Sequence, residues 1–339
     1  MEYAAMVTAH LGLVRIAPQW EECSRSTPMP AEIPTPAPGE LEQAFAQQLD
    51  LPAGLSAPLA DALRGILSRN GSMVRPRIAF QVASAFGSTR HRAIDLAIAL
   101  EYFHTASLIF DDLPCMDNAT TRRGGPCVHS AHGESAAILS ALALINRGYA
   151  LMWRVSSSAP YHQQQPALQY LEQQLGVRGL LQGQSLDLHY HALPHTIQSA
   201  ERAARGKTVP LIALALALPA ILHAAPARQV QLLQRISLCW GLSYQIADDL
   251  KDVLRSSDEA GKTTALDATL GRPNVAVLLG ISAAVERLSR WIVAGDRSLD
   301  ELCRINSSLS FLHEFRAVLK NELNQLLESA GAVPIDRKR

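Results

Sequence analysis

His104-Thr105-Ala106-Ser107-Leu108-Ile109-Phe110-Asp111-Asp112-Leu113-Pro114-Cys115-Met116-Asp117, followed shortly by Arg122-Arg123-Gly124, is the stretch on which the reading of this 339-residue chain turns. Three carboxylates stand at the end of an apolar helical run, with two adjacent arginines behind them. Desolvating a carboxylate is costly unless a cation or hydrogen-bond donor compensates it. Clustered aspartate oxygens suit Mg²⁺, a hard ion that keeps waters and takes further ligands from phosphates. Arginine forks match phosphate oxygens. The stretch reads as a grip for a metal and a diphosphate.

A second acidic stretch lies far downstream, Tyr244-Gln245-Ile246-Ala247-Asp248-Asp249-Leu250-Lys251-Asp252. Asp248 and Asp252 are four apart, so a helix sets both on one face. Both stretches are expected to end apolar helices that face each other across a cavity. Opposed carboxylates could then hold several Mg²⁺ around one diphosphate.

The composition is 48% hydrophobic and only 5% aromatic, which favours a large helical core over a sheet. Zero formal net charge leaves no electrostatic footprint for nucleic acid or an anionic membrane. Cys23, Cys115, Cys127, Cys239 and Cys303 are scattered and odd in number, the pattern of free thiols in a reducing compartment. Glu2 precedes any basic residue, unlike a secretory leader. The longest apolar run, residues 209–225, is interrupted by Pro210, Pro219 and His223, so membrane insertion is not expected. A soluble, cytoplasmic protein is.

Residues 1–40 carry Pro18, Pro28, Pro30, Pro34, Pro36 and Pro38 without an apolar period and read as a flexible tail. A helical domain is expected over 41–330, with a short flexible tail at 331–339. Glycine, proline and serine clusters punctuate it at 70–72, 86–88, 114–126, 156–165, 192–194, 224–226 and 256–273. Residues 135–147 and 210–222 are apolar nearly all round and are expected to be central helices. No strand-like alternation is long enough for a sheet, so the fold class is all-α. Gly206-Lys207-Thr208 and Gly261-Lys262-Thr263 are not P-loops, because Glu201 and Ser256 stand where the first glycine is required. His189, His191 and His195 are spaced too loosely to argue for zinc.

Over about residues 65–280 these motifs resemble the trans-isoprenyl diphosphate synthases, or polyprenyl synthetases, and most of all the bacterial geranylgeranyl diphosphate synthases. The likeness rests on Asp111-Asp112-x4-Asp117 running into Arg122-Arg123-Gly124, Pro126, His129 and Gly133-Glu134. It continues through Gln182-Gly183-Gln184 with Asp187, then Lys207-Thr208. Tyr244-Gln245-x2-Asp248-Asp249-x2-Asp252 follows, with Gly261-Lys262 and Asp267. The resemblance implies a single large helical bundle of the isoprenoid synthase type with a deep central cavity. It implies a homodimer and a head-to-tail condensation of isopentenyl diphosphate with an allylic diphosphate.

By the same resemblance, three Mg²⁺ per active site are held by Asp111, Asp112, Asp117, Asp248, Asp249 and Asp252. Arg122, Lys207 and Lys262 bind the allylic diphosphate; Arg75, His104 and Arg123 bind isopentenyl diphosphate. Asp111, Asp112, Asp248, Lys207 and Gln245 carry catalysis. The chemistry fits these residue types, since loss of diphosphate leaves an allylic cation. The leaving group needs electrostatic stabilisation, while a dry Ala/Leu-lined cavity gives the cation nothing nucleophilic to meet. In a regular helix Asp117 would point away from the Asp111 face, so Pro114 is expected to bulge the chain and bring Asp117 back.

Bulk just before the first aspartate motif limits product length in this family. Ala106 and Ser107 are small, with Phe103 and Phe110 flanking them, so a C20 product is expected, with C15 as the alternative. The family's Gly-Gly-Lys-Arg-x-Arg-Pro reads Asn70-Gly71-Ser72-Met73-Val74-Arg75-Pro76 here, and the basic residue before Pro126 is Gly125. Where the family has a late Gly-Lys, Gly271-Arg272 stands. Losing a charged phosphate contact weakens binding by roughly 1–3 kcal/mol, which motivates a second alternative, a non-catalytic partner subunit. A class I terpene cyclase is the third, and the scarcity of aromatic residues to steer a cation argues against it.

Overall fold

Residues 33–258 and 271–329 are described in the computed structural model of the chain. Helices succeed one another along them: α1 (Glu40–Gln47), α2 (Ala57–Leu67), α3 (Val74–Ala85), α4 (Arg90–Asp111), α5 (Val128–His132), α6 (Glu134–Ser157) and α7 (Tyr161–Leu175). After them come α8 (Leu180–Leu188), α9 (Ile197–Lys207), α10 (Val209–Leu222), α11 (Ala227–Asp258), α12 (Val275–Leu279), α13 (Ile281–Ile305) and α14 (Leu312–Ser329). Between α4 and α5 a hairpin pairs β1 (Thr121–Arg122) with β2 (Gly125–Pro126). Among the described residues that hairpin is the whole sheet content, and the fold is all-α as expected.

Two helices organise the core. α4 has no glycine or proline and is rich in alanine and leucine, so nothing local interrupts it. It stops at Asp111 because Pro114 has no N–H to donate and crowds the preceding turn. α10 starts with Pro210 in its first turn, where the missing donor is harmless. Leu211, Leu214, Leu216 and Leu218 on it are all buried, each contributing about 1.5–3 kcal/mol. α10 packs on α3, α4, α7 and α11, and α4 on α1, α3 and α6.

Residues 210–222 are the central helix that their composition predicts. Residues 135–147 are not buried all round: Leu139 and Leu142 on α6 are 51% and 50% exposed, and Trp153 further along is 63% exposed. That helix is apolar on two faces because one packs on α4 and the other lies open on the chain's surface. A second correction concerns Tyr244–Asp252, which lies within α11 and does not end it. Its acids recur at helical spacing without glycine or proline, so they line a face and leave the ladder intact.

α8 and α9 meet where their glycines remove every side chain between two backbones. A Cβ on Gly183 would lie 2.0 Å from the Gly206 carbonyl carbon and 2.2 Å from the Lys207 nitrogen. Immediately beyond, α9 and α10 bend by 52° across Thr208. The close approach sets Asp187 of α8 against Lys207 of α9.

α4 and α6 are each long and apolar enough to cross a membrane. Within its most apolar window α4 is 72% buried inside the protein and α6 44%. Of the expected N-terminal tail, residues 33–39 carry no helix or strand. The rest of it, the 331–339 tail, Lys262 and Asp267 lie outside the described residues.

Substituting Gly183→Ala should force α8 from α9 and lower stability by about 2 kcal/mol or more. Urea unfolding of the variant beside the native chain measures it; an unchanged midpoint would disprove the contact.

Candidate active site

The end of α4 folds back on itself. The Asp117 N–H donates to the Asp111 carbonyl at 2.9 Å, and Asn118 N–H to Leu113 O at 3.0 Å. Residues 112–116 therefore bulge outward and Asp117 returns beside Asp111, the local geometry expected from Pro114. Asn118 takes a left-handed φ of 51° to make the return.

Each acid of this end meets a different partner. Gln184 Nε2 donates to Asp111 Oδ1 at 2.6 Å. Arg122 Nε donates to Asp112 Oδ1 at 2.6 Å. Arg272 donates to Asp117 Oδ1 at 2.6 Å, and Lys207 Nζ to Asp187 Oδ2 at 2.7 Å. Burial pushes the Asp111 carboxyl up to about 6, with Asp117 and Asp187 adding to the rise and Lys207 and Arg122 opposing it. Burial alone would lower the Lys207 ammonium, yet the negative charge of Asp187, Asp111 and Asp117 holds it above its usual value. Asp112 is turned the other way: its neighbours are Arg122 and Cys127, whose thiol is pushed up to about 11 by burial and then by its bond to Asp112.

The second acidic set divides. Thr208 Oγ1 donates to Gln245 Oε1 at 2.8 Å, and Gln245 Nε2 donates to Asp249 Oδ1 at 2.9 Å. Asp249 Oδ2 accepts the Val275 N–H at 2.7 Å, and the residue is 2% exposed. Asp249 Oδ2 thus joins α11 to the start of α12, while Oδ1 holds Gln245 on the same helix. Asp248 is exposed and Asp252 half-buried on the same helix.

A third group gathers where α3 meets α4. Arg75 Nη1 donates to His104 Nε2 at 3.2 Å, so that nitrogen is the acceptor and Nδ1 carries the proton. Burial, reinforced by Arg75, Arg123 and Arg122, holds the imidazole well below its usual pKa. Arg123 Nη2 lies 3.6 Å from Glu101 Oε1; burial raises the Glu101 carboxyl against the pull of Arg123 and Arg75. Arg75 Nε is buried without an acceptor among the described residues, a donor aimed where an anion would fit. Arg123 and Gly124 both have positive φ, 51° and 75°, the signature of a type I′ hairpin turn. The strained Arg123 backbone is held where its guanidinium reaches Glu101.

The structure thus brings Asp111, Asp117, Lys207 and Arg122 into one neighbourhood, and Arg75, His104 and Arg123 into another. Ser107 shares a helical face with His104 and Asp111 and, like Phe110, is half-buried. Ala106 is in the core. Phe103 is also there, edge-on to Tyr149 of α6 at 4.9 Å and against Gly148. Glu101, Asp187, Gln184, Thr208 and Arg272 join the site without having been assigned to it from sequence. The signal for Glu101 was a lone acid inside an apolar run; for Arg272 it was the Gly271-Arg272 pair.

Fold and site define an all-α enzyme of the isoprenoid synthase type, with acidic and cationic side chains converging at helix ends. The chain belongs to the polyprenyl synthetase family, whose sequence model matches residues 56–305. It is 35% identical over 237 residues to a putative geranylgeranyl pyrophosphate synthase 8 of Arabidopsis thaliana, covering 68% of this chain and 66% of that one. To a geranylgeranyl diphosphate synthase of Pantoea ananas it is 33% identical over 236 residues, 69% of this chain and 76% of the other. The match spans about two thirds of the length of the plant relatives. A geranyltransferase from Helicobacter pylori, solved with magnesium and isoprenyl diphosphate, superposes with a TM-score of 0.71 at 26% identity, covering 84% of this chain and 93% of that one.

Replacing Asp249 by alanine should leave the buried Val275 N–H without its acceptor and lower stability by about 2–3 kcal/mol, with or without Mg²⁺. Asp248→Ala, at an exposed position, should leave stability within about 0.5 kcal/mol. Equal unfolding midpoints for the two variants would refute the division.

Proposed function

We propose that this protein is a Mg²⁺-dependent prenyltransferase that joins isopentenyl diphosphate to allylic diphosphates and releases geranylgeranyl diphosphate. The observation that carries the reading is the crowding of Asp111, Asp117 and Asp187 around Lys207 and Arg272. Burial raises the Asp111 carboxyl, and Asp117 and Asp187 stand beside it with their oxygens shared among Lys207 and Arg272. Hard oxygen donors so gathered suit Mg²⁺, and Asp111, Asp117, Asp248 and Asp252 would hold it, three ions per site. Bound Mg²⁺ supplies electrostatic stabilisation to the departing diphosphate.

This chain's own residues do the rest. Lys207 and Arg122 offer cations to the allylic diphosphate, with Lys262 expected to join them. Asp112 and Asp249 act by holding Arg122 and the Gln245–Thr208 pair in place. Arg75, the neutral His104 and Arg123 receive the second diphosphate, with Glu101 steadying Arg123. The apolar wall of α4 keeps water from the allylic cation. A proton then leaves the joined product for an oxygen of the released diphosphate. Small Ala106 and Ser107 leave room beyond C15. The same proposal has the protein soluble in the cytoplasm, the apolar surface of α4 being taken up by its own core. It also has the protein as a homodimer through α6, where Leu139, Leu142, Tyr149 and Trp153 form an exposed stripe at helical spacing.

Purified protein given Mg²⁺, isopentenyl diphosphate and dimethylallyl, geranyl or farnesyl diphosphate should yield a C20 alcohol after phosphatase treatment. Ser107→Phe should shorten the product to C15; no condensation by folded native protein would sink the reading. Light scattering should give twice the chain mass, and Leu142→Arg the mass of one chain. A monomeric native protein would remove the dimer.

A further inference from the structure

The two loops that would present the second diphosphate's residues exchange a pair of arginines. Gly71, in the loop after α2, leaves the space that the Arg123 guanidinium occupies: a Cβ there would lie 2.5 Å from Arg123 Nη2. Gly125, on β2, does the same for Arg69, with a Cβ 2.5 Å from Arg69 Nη1 and 2.8 Å from its Cζ. Arg69 Nη1 also donates to the Pro126 carbonyl at 3.2 Å. Each loop thus carries an arginine seated on a glycine of the other.

Arg69, Arg122 and Arg123 line one pocket together with His132 and Thr105. Arg122 is neutralised by Asp112, and Arg123 shares Glu101 with the electrostatic field of Arg75. Arg69 makes no ion pair among the described residues. Three guanidiniums and one carboxylate, Asp112, line this pocket, with Glu101 paired to Arg123, and like charges gathered in this way favour a polyvalent anion. Ser72 and Gly125 are the positions where the resembled family carries basic residues. The Arg69 guanidinium stands in the space a side chain at 125 would enter.

We infer that Arg69 is a binding residue for the diphosphate of isopentenyl diphosphate, supplying from the end of α2 the cation absent at Ser72 and Gly125. The inference rests on the condensation proposed above. Its Nη1 stays tied to Pro126, which leaves the remaining N–H groups of the fork for phosphate oxygens. Gly125 is then a requirement of the arrangement, since any side chain there displaces Arg69.

Steady-state kinetics of Arg69→Ala provides the test. The KM for isopentenyl diphosphate should rise about tenfold, with kcat and the KM for the allylic substrate within about twofold. Gly125→Ala retains the charge but moves it, and should raise the same KM at an unchanged melting temperature. Adding Gly125→Arg to Arg69→Ala should restore it. An unchanged KM for isopentenyl diphosphate overturns the inference. So does a loss shared equally by both substrates with a lowered melting temperature, which would make Arg69 a brace only. Calorimetry with inorganic pyrophosphate separates the two levels. If the native protein condenses nothing, the synthase reading fails; weaker pyrophosphate binding by Arg69→Ala still supports the anion site, and equal binding overturns it.

Discussion

A carboxylate inside a protein must be matched by a cation or by donors, and in this fold that single requirement fixes how the helices meet. Glu101, Asp111, Asp112, Asp117, Asp187 and Asp249 are buried or half-buried, and each draws a partner from elsewhere in the chain. The partners come from α8, from the end of α9, from the hairpin behind α4, and from Arg272 and the first residue of α12. Apolar packing on α4 and α10 brings the helices to about the right distance. The ion pairs and the glycine contact between α8 and α9 then set which residues face one another. Left unpaired, any of these acids would cost several kcal/mol or would protonate.

The same requirement explains why the site is poised for a charged ligand. Asp111 is half-buried beside Asp117 and Asp187, with Lys207 and Arg122 opposing their charge. Arg75 and Arg69 sit among cations with few acids to match them, which leaves room for an anion. Acids in one neighbourhood and arginines in the other suit a reaction between two diphosphates in which only one of them departs. In the proposed condensation the acid-rich side would hold the metal that stabilises the leaving group, and the arginine-rich side would hold the second substrate.

Division of labour among acids that look alike is the less obvious feature. Asp111 and Asp112 are neighbours in sequence, yet successive helical positions differ by about 100°. One faces Gln184 and Lys207, the other Arg122 and Cys127. Asp248 and Asp249 divide in the same way, the second being consumed by the backbone of Val275 and by Gln245. Neighbouring aspartates thus meet different parts of the structure, because the helix turns them to different faces.

The sequence by itself determined the class of fold and marked the stretches from which the candidate site is built. The apolar period of α4 and α10, the missing strand alternation and the Pro114 bulge all act within a few residues, where local sterics decide. The order of acids and arginines around 111–123 is likewise a local pattern with a direct chemical reading. Only the tertiary structure decided which side chain each acid meets. Arg272 reaches Asp117 across 155 residues, and Arg69 settles on Gly125 because that glycine has no Cβ to occupy the space. It alone also divided the faces of α6, because apolarity signals that a surface is to be covered without saying by what. Pairings of that kind depend on distances between distant segments, which the packing of whole helices sets and no local pattern encodes.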